Sequence, residues 1–291
     1  MGQNITTYGL IGYPLGHSLS PLMHNAAFKA LGVEATYELF PLKPDELDNF
    51  FSDLKQKDSP IFGLNVTFPY KEKVIPYLDS LNPYAKKVAA VNTIVISENR
   101  KLSGYNTDGP GFLAHIAELG FQPQGKRIAI LGAGGATRAV LSALCMSAQR
   151  PEAIMIYDIE PEKAQSLVKD LSVNFDCGIT KAVDSLDDLN VELADLLVNA
   201  TPVGMKPSDI PLIDEEMLHA NMLVYDLIYN PAQTALLEMA QRKGAQAANG
   251  LGMLYYQGVL AFQHWANVEL PENIKKKMRD ALDKGLQQRI K

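Results

Sequence analysis

Residues 127–140, RIAILGAGGATRAV, constrain this 291-residue chain more than any other stretch. RIAILG (127–132) is short, apolar and bounded by glycine, which reads as a buried strand. A glycine-rich turn follows, then a helical run over 136–148. A strand that enters a helix through so tight a turn opens a strand–helix–strand unit, and such units build parallel sheets. Gly132 and Gly134 occupy the first two positions of a G-x-G-x-x-G pattern. The first permits the tight turn, and the second lets a diphosphate approach the backbone. Ala133, Gly135 and Ala136 keep the turn small. The helix start offers free N–H groups and a positive dipole end to phosphate. Thr137 stands at the third position, where the pattern has glycine or alanine.

Two glycines in a strand–helix turn also occur without a ligand. The next strand, AIMIYD (153–158), favours a dinucleotide because it ends in Asp158, and an acid at that place binds ribose hydroxyls. A carboxylate there repels the 2′-phosphate of NADP. Tyr157-Asp158-Ile159-Glu160 supplies two acids and no arginine, so the expected cofactor is NAD. NADP stays as the alternative, because Arg138 on the following helix is within reach of a phosphate.

The same rhythm runs through the chain. Strands are expected over 8–13, 36–42, 62–68, 193–201 and 222–229, and helices over 21–31, 45–55, 160–171 and 234–243, the last capped by Gly244. AAVNTIVI (89–96) and KLSGYN (101–106) flank Glu98-Asn99-Arg100 as a hairpin. Helices follow over 252–266, apolar nearly all round and expected to pack between two domains, and over 271–290. The fold class is therefore α/β with two α/β domains. The first, residues 1–106, is rejoined by the helices of 250–291, and the dinucleotide-binding domain of Rossmann type spans 107–249.

Composition narrows the function classes. Apolar residues make up 47% and charged residues 21%, as in a folded globular protein. A net charge of -6 leaves no basic face for nucleic acid, and Lys275, Lys276 and Lys277 read as a solvated helix face. Cys145 and Cys177 and the five histidines lack zinc spacing, so no metal is expected, a zinc-dependent alcohol dehydrogenase is disfavoured, and a reducing cytoplasm is the expected location. The first lysine is Lys29, so no basic signal-peptide start is present, and MGQNIT matches the acylation pattern only loosely. Residues 245–268 lack Asp, Glu, Lys and Arg but carry several amides, which fits a buried helix better than a membrane span.

A second group of polar residues invites attention. Ser20 with Pro21 reads as a helix N-cap, and Ser18 beside it is unexplained by capping. A helix cap and a carboxylate site both fit the pair. Asn65 and Thr67 end a strand, and Lys71 opens the next element, taken as a helix start where a cation opposes the dipole. Asn92 lies inside an apolar strand and needs partners, from its own fold or from a polyhydroxylated ligand. Asp108 reads by itself as a helix N-cap. Gln257 is a polar side chain on the apolar helix and needs a partner too.

These segments together carry a resemblance. HSLSP (17–21), NVTFPYK (65–71), AVNT (90–93), YNTDG (105–109), GAGGATRA (132–139), NATPVGM (199–205), YDLIYNP (225–231) and GLGMLYYQG (250–258) occur in the order of the shikimate dehydrogenase family, including its quinate/shikimate branch. The chain resembles that family over residues 17–258. The resemblance implies that Lys71 exchanges the proton of the reacting hydroxyl and that Asp108 pairs with it. It implies that Ser18 and Ser20, with Tyr229 as a further candidate, bind a carboxylate. It implies that Asn65, Thr67, Asn92 and Gln257 bind ring hydroxyls, and that Thr201, Val203, Met205, Gly252 and Met253 lie on the cofactor side. The implied reaction is reversible NAD(P)-dependent interconversion of shikimate and 3-dehydroshikimate, with quinate as a second candidate substrate, by a monomer or homodimer free of nucleic acid and membrane. The family's usual setting is aromatic amino acid biosynthesis, toward chorismate. Its biosynthetic members carry an Asn-Arg-Thr type NADP motif where this chain has Tyr-Asp-Ile, which resembles the NAD-preferring, catabolic members. A non-catalytic dinucleotide- and shikimate-binding regulator is the alternative of another class, and the retention of Lys71 and Asp108 speaks against it.

Overall fold

The computed structural model describes residues 5–16 and 18–290. Met1–Asn4 of the MGQNIT start, His17 of the HSLSP block and Lys291 lie outside the described residues. The chain divides into two units. One runs from the N-terminal end through Thr107 and takes up again at Leu254–Arg289; the other is Asp108–Met253. The crossings fall after Thr107 and Met253 rather than after 106 and 249, and local bonds explain both shifts. Thr107 is tied by its backbone N–H to Asn92 of the first unit, 2.8 Å. Gly252 packs on His115 of the second.

The first unit holds β1 (Thr6–Gly12), α1 (Ser20–Leu31), β2 (Ala35–Pro41), α2 (Leu47–Leu54), β3 (Ile61–Val66), β4 (Ser80–Leu81), α3 (Pro83–Val88), β5 (Thr93–Ile96) and β6 (Leu102–Tyr105). They form one six-stranded sheet in the order β2-β1-β3-β5-β6-β4. β1 pairs in parallel with β2 and β3, as the strand–helix alternation requires. β5 then turns antiparallel to β3 and forms the expected hairpin with β6. The short β4 and α3 have no strong sequence pattern, and neither was expected. Ile11, Phe51, Leu64, Val91, Ile94 and Leu102 fill the core on one face.

The second unit holds α4 (Asp108–Glu118), β7 (Arg127–Leu131), α5 (Gly135–Met146), β8 (Ala153–Tyr157), α6 (Pro161–Ser172), β9 (Thr180–Val183), β10 (Leu196–Asn199), β11 (Leu223–Asp226), α7 (Ala235–Arg242) and β12 (Gln246–Asn249). α8 (Leu251–Ala266) and α9 (Glu272–Ile290) complete the chain. Every pairing in this sheet is parallel, in the order β12-β11-β10-β7-β8-β9. Its central strands β7 and β10 are apolar and buried almost throughout, as strands covered on both faces must be. Strand order reverses between β7 and β10. In such sheets the crevice at the carboxyl ends of the two strands flanking the reversal is where ligands bind.

Cys145 and Cys177 sit 32 residues apart in sequence, yet their sulfurs are 3.2 Å apart as buried thiols. Among the described residues, no group of three or more His, Cys, Asp or Glu side chains is placed to hold a metal ion, and no helix is long and apolar enough to cross a membrane.

Candidate active site

The nucleotide side is built mainly from backbone. Gly132 follows β7 with φ 93°, in the left-handed half of the backbone map, and its N–H donates to the Tyr157 carbonyl at 2.7 Å. A Cβ there would stand 2.9 Å from Thr201 Cγ2, so glycine is required by both conformation and space. Gly134 and Gly135 differ: a Cβ on either would meet nothing within 4 Å. The space above them at the start of α5 is open to a diphosphate. Thr137, the departure from the glycine pattern, is buried and donates its hydroxyl to the Gly132 carbonyl at 2.7 Å. It closes the turn from beneath, which is a physical use for a hydroxyl at that position. The residues present therefore fit a dinucleotide.

Asp158 sits directly after β8. One carboxylate oxygen accepts the Ala133 N–H at 2.7 Å, and the other accepts the Glu160 N–H at 2.9 Å. The acid thus braces the glycine turn as well as marking the end of the second strand. The two cations closest to the question of a 2′-phosphate are both engaged by acids. Arg138 pairs with Asp170 at 3.1 Å, and Lys163 pairs with Glu160.

At the end of β10, beside this turn, Asn199 organises the expected Thr201–Met205 segment. Its side-chain oxygen accepts from the Thr201 N–H and hydroxyl at 3.1 and 2.7 Å, and its amide donates to the Val203 carbonyl at 3.1 Å. The same amide donates to Asp226 at 3.0 Å, which also accepts from the Thr234 hydroxyl at 2.7 Å. Burial pushes the Asp226 carboxyl above the usual carboxylate range. Met205 is exposed. Gly252 and Met253 form the first turn of α8. A Cβ on Gly252 would fall 2.1 Å from His115 Nε2, and the His115 Nδ1 contacts the Tyr225 phenol at 2.6 Å. The backbone of Met253 hydrogen-bonds that phenol, which burial pushes upward in pKa.

The substrate side is built from side chains, and three of the expected ones, Asn65, Asn92 and Gln257, meet in one cluster. Asn92 lies just before β5. Its oxygen accepts the Thr107 N–H at 2.8 Å, and its amide donates to the Thr107 hydroxyl at 2.9 Å and to Gln257 Oε1 at 3.3 Å. Asn65, near the end of β3, donates to the Asn92 carbonyl at 3.1 Å and to the Thr93 hydroxyl at 3.2 Å. The Thr93 hydroxyl donates in turn to Asn92 Oδ1 at 3.0 Å. Asn65, Asn92, Thr93, Thr107 and Gln257 are all buried, so their polar atoms must be paired, and they pair with one another. Thr67 follows β3, its N–H bonded to the Ile11 carbonyl at 2.9 Å.

Two expectations change. Ser20 is not the N-cap of α1: the cap position is Leu19, and Ser20 is the first helical residue. The capping hydroxyl is that of Ser18, which accepts the Ser20 N–H at 3.2 Å. The side chain that seemed explained by capping is therefore the one free of it. Lys71 does not open a helix. It lies in a run of turns ahead of a 3-10 turn at Ile75–Tyr77, so no helix dipole acts on it. Its segment is pinned instead by Tyr70, a buried residue whose phenol donates to the Leu42 carbonyl at 2.6 Å, and by the Lys71 carbonyl, which accepts the Val91 N–H at 2.7 Å. Tyr229 lies in the second unit, in the loop after β11. Asp108 is the first residue of α4 and buried, directly after Thr107.

Sequence reasoning missed several residues. Thr93, Thr107, Asn199, Tyr225 and Asp226 lie inside the conspicuous blocks but drew no role. Tyr37 and His115 lie outside all of them. Tyr37 is buried and donates to Asn65 Oδ1 at 2.8 Å.

The chain matches the model of the shikimate dehydrogenase substrate binding domain over residues 10–94. It is 44% identical over 287 residues to the shikimate dehydrogenase (NADP(+)) of Desulforamulus reducens, covering 95% of this chain and 94% of that one. Among solved structures it is similar to the shikimate 5-dehydrogenase of Listeria monocytogenes in complex with shikimate and NAD. The TM-score is 0.84 and the identity 34%, over 96% of this chain and 97% of that one. It is also similar to the quinate dehydrogenase of Corynebacterium glutamicum in complex with NAD, with TM-score 0.86 and 29% identity over 96% and 98%. With relatives this similar along nearly its whole length, the chain belongs to the shikimate dehydrogenase family.

Proposed function

We propose that this protein catalyses the reversible oxidation of shikimate to 3-dehydroshikimate with NAD⁺, and accepts quinate as a second substrate. The observation that carries the reading is the buried cluster of Asn65, Asn92, Thr107 and Gln257, in the same unit as Ser18 and Ser20. It supplies both donors and acceptors for ring hydroxyls and hydroxyl donors for a carboxylate.

Lys71 exchanges the proton of the reacting hydroxyl, as base in oxidation and as acid in reduction. Asp108 is its partner carboxylate. Ser18 and Ser20, with Tyr229, hold the substrate carboxylate. Asn65, Thr67, Asn92 and Gln257 hold the hydroxyls and fix which carbon reacts. The nicotinamide, when bound, takes up the hydride. Gly132, Ala133, Gly134, Gly135 and Ala136 cradle its diphosphate, and Thr201, Val203, Met205, Gly252 and Met253 line its path.

Asp158 supports NAD. A carboxylate at the end of the second strand suits ribose hydroxyls, and a 2′-phosphate there would meet like charge. The engagement of Arg138 and Lys163 by acids supports the same choice. The NADP(+) in the names of the relatives favours a second reading, a biosynthetic NADP enzyme. The buried, paired thiols Cys145 and Cys177 suit a reducing compartment and support a cytoplasmic location.

Initial rates over four combinations test the reading: shikimate or quinate, each with NAD⁺ or NADP⁺. Turnover of both acids with NAD⁺ is expected. Turnover of shikimate with NADP⁺ alone would establish the second reading, and no turnover in any combination would refute both.

A further inference from the structure

Cys145 and Cys177 take no part in the proposed chemistry, and both belong to the nucleotide unit. A buried cysteine by itself packs as a small apolar side chain and is chemically inert. These two differ because the fold aims them at each other. Cys145 is in the last turn of α5, and Cys177 lies between α6 and β9. The Cys177 thiol donates to Cys145 Sγ at 3.2 Å, and the Thr180 hydroxyl lies 3.8 Å from the same sulfur. Arg150, shortly after α5, grips the residue next to Cys177 twice. Its guanidinium reaches the Asp176 carboxylate at 2.7 Å and donates to the Asp176 carbonyl at 3.1 Å. The Cys177 N–H donates to the Phe175 carbonyl at 3.0 Å, and its carbonyl accepts the Thr180 N–H at 2.8 Å. Both segments are therefore held, with the sulfurs about 1.2 Å beyond bonding distance.

The two thiols are not equivalent. The hydrogen bond from Cys177 holds the Cys145 thiol below its usual pKa, and Thr180 and the Arg150 cation act in the same direction. The same bond, together with burial, pushes the Cys177 thiol up. The thiolate is the nucleophile in sulfur chemistry, so Cys145 is the thiol that attacks and Cys177 the one that follows. Exposure sets the reagent. Cys145 is 9% and Cys177 4% exposed, which favours a molecule little larger than water over a bulky one such as glutathione disulfide.

We propose that Cys145 and Cys177 are a peroxide-reactive dithiol that closes to a reversible disulfide. The Cys145 thiolate attacks one oxygen of hydrogen peroxide. The O–O bond breaks, the sulfur becomes a sulfenic acid, and the departing hydroxide takes up the proton that Cys145 released, leaving as water. Cys177 then attacks that sulfur. The S–S bond forms, the S–O bond breaks, and the Cys177 proton leaves with the hydroxyl as a second water. The two thiols together lose two electrons, and the peroxide gains them. Capture by Cys177 stops Cys145 at a reversible stage, before sulfinic acid. The disulfide pins the end of α5 to the segment that enters β9.

The test treats reduced wild type with hydrogen peroxide, blocks free thiols by alkylation, and reads the digest by mass spectrometry, with Tm followed in parallel. The expected product is a crosslinked Cys145–Cys177 peptide pair, lighter by two hydrogens than the reduced peptides and restored by dithiothreitol. Tm should rise by roughly 5–10 °C as the intervening loop is closed. Oxygen added to a sulfur in place of the crosslink, a crosslink between two molecules, or unreacted thiols would overturn the proposal. A crosslink that left Tm unchanged would overturn the pinning of α5. Single variants read the order of attack, with serine keeping the size of the side chain. In Cys177→Ser, dimedone should trap a sulfenic acid on Cys145; in Cys145→Ser, Cys177 should stay reduced. The opposite labelling would reverse the two roles. Glutathione disulfide should form the crosslink far more slowly than peroxide, and equal rates would remove peroxide as the reagent selected by burial.

Discussion

In the proposed reading the two units recognise their ligands by different means. The nucleotide unit offers backbone: a glycine turn, the N–H groups at the start of α5, and an acid that braces them. The substrate unit offers side chains drawn from β2, β3, the segments before β5 and after β6, and α8. A backbone site needs a few residues in a row, because adjacent N–H groups already converge. A side-chain site for a small polyhydroxylated acid needs donors and acceptors from several directions, so its parts are scattered along the chain.

The difference can be probed by substitution, and the largest effect belongs to the substrate unit. Lys71→Ala should lower kcat roughly 100- to 10,000-fold, the usual range for removing a proton-transfer group. Shikimate binding, read by calorimetry, should be largely kept. A variant with near-wild-type kcat would take Lys71 out of the chemistry.

Acid should also act unequally on the two units. His24 is buried between Tyr37 and Phe262, with no hydrogen-bond partner for either ring nitrogen among the described residues. Burial lowers its pKa from 6.5 to about 3. The unfolded chain therefore binds a proton that the folded one refuses, and stability is lost as pH falls below 6.5, by up to about 1.4 kcal/mol per unit. In the nucleotide unit the buried Asp226 has its pKa raised, so it favours the folded state at low pH and loses that contribution as pH rises. Hydrogen exchange from pH 7 to pH 4.5 should show α1, β2 and α8 opening before β10 and β11. His24→Phe should flatten the loss, and an unchanged pH profile in that variant would reject the assignment.

Smaller effects distinguish the glycines. Gly132→Ala combines a left-handed φ with a clash on Thr201, so it should cost about 1–3 kcal/mol of stability, seen as a lower Tm. Gly134→Ala meets open space and should leave stability within about 0.5 kcal/mol, while raising the KM for NAD⁺ because the methyl fills the diphosphate cradle. Equal stability losses in the two would contradict the different packing around them. Asp158→Ala should change the ratio of KM values for NAD⁺ and NADP⁺ roughly tenfold in favour of NADP⁺, the scale of a charge-assisted hydrogen bond. Equal losses for both cofactors would mean that Asp158 only braces the turn.

The same contrast governs what could be read in advance. β7, its turn and α5 are legible because a buried strand, glycines and a helix follow one another within a few residues. β4 and α3 are too short for a period to show. Ser18 and Ser20 could be picked out, but their division of labour could not, because capping depends on where the first helical turn begins. Lys71 was expected on a helix because a proline and a lysine resemble a helix start; the hydrogen bonds of Tyr70 and Val91 hold the segment in turns instead.

Sequence alone determined the two-unit α/β architecture, the dinucleotide turn and the family to which the chain belongs. Each of these depends on neighbours within a dozen residues, or on a series of such motifs in order. The pairing of Tyr37 with Asn65, 28 positions away, and of Asn92 with Gln257, 165 positions away, came only with the folded chain. Packing decides which buried polar atoms meet, and each must find a partner once water is excluded. No local pattern records which partner that will be.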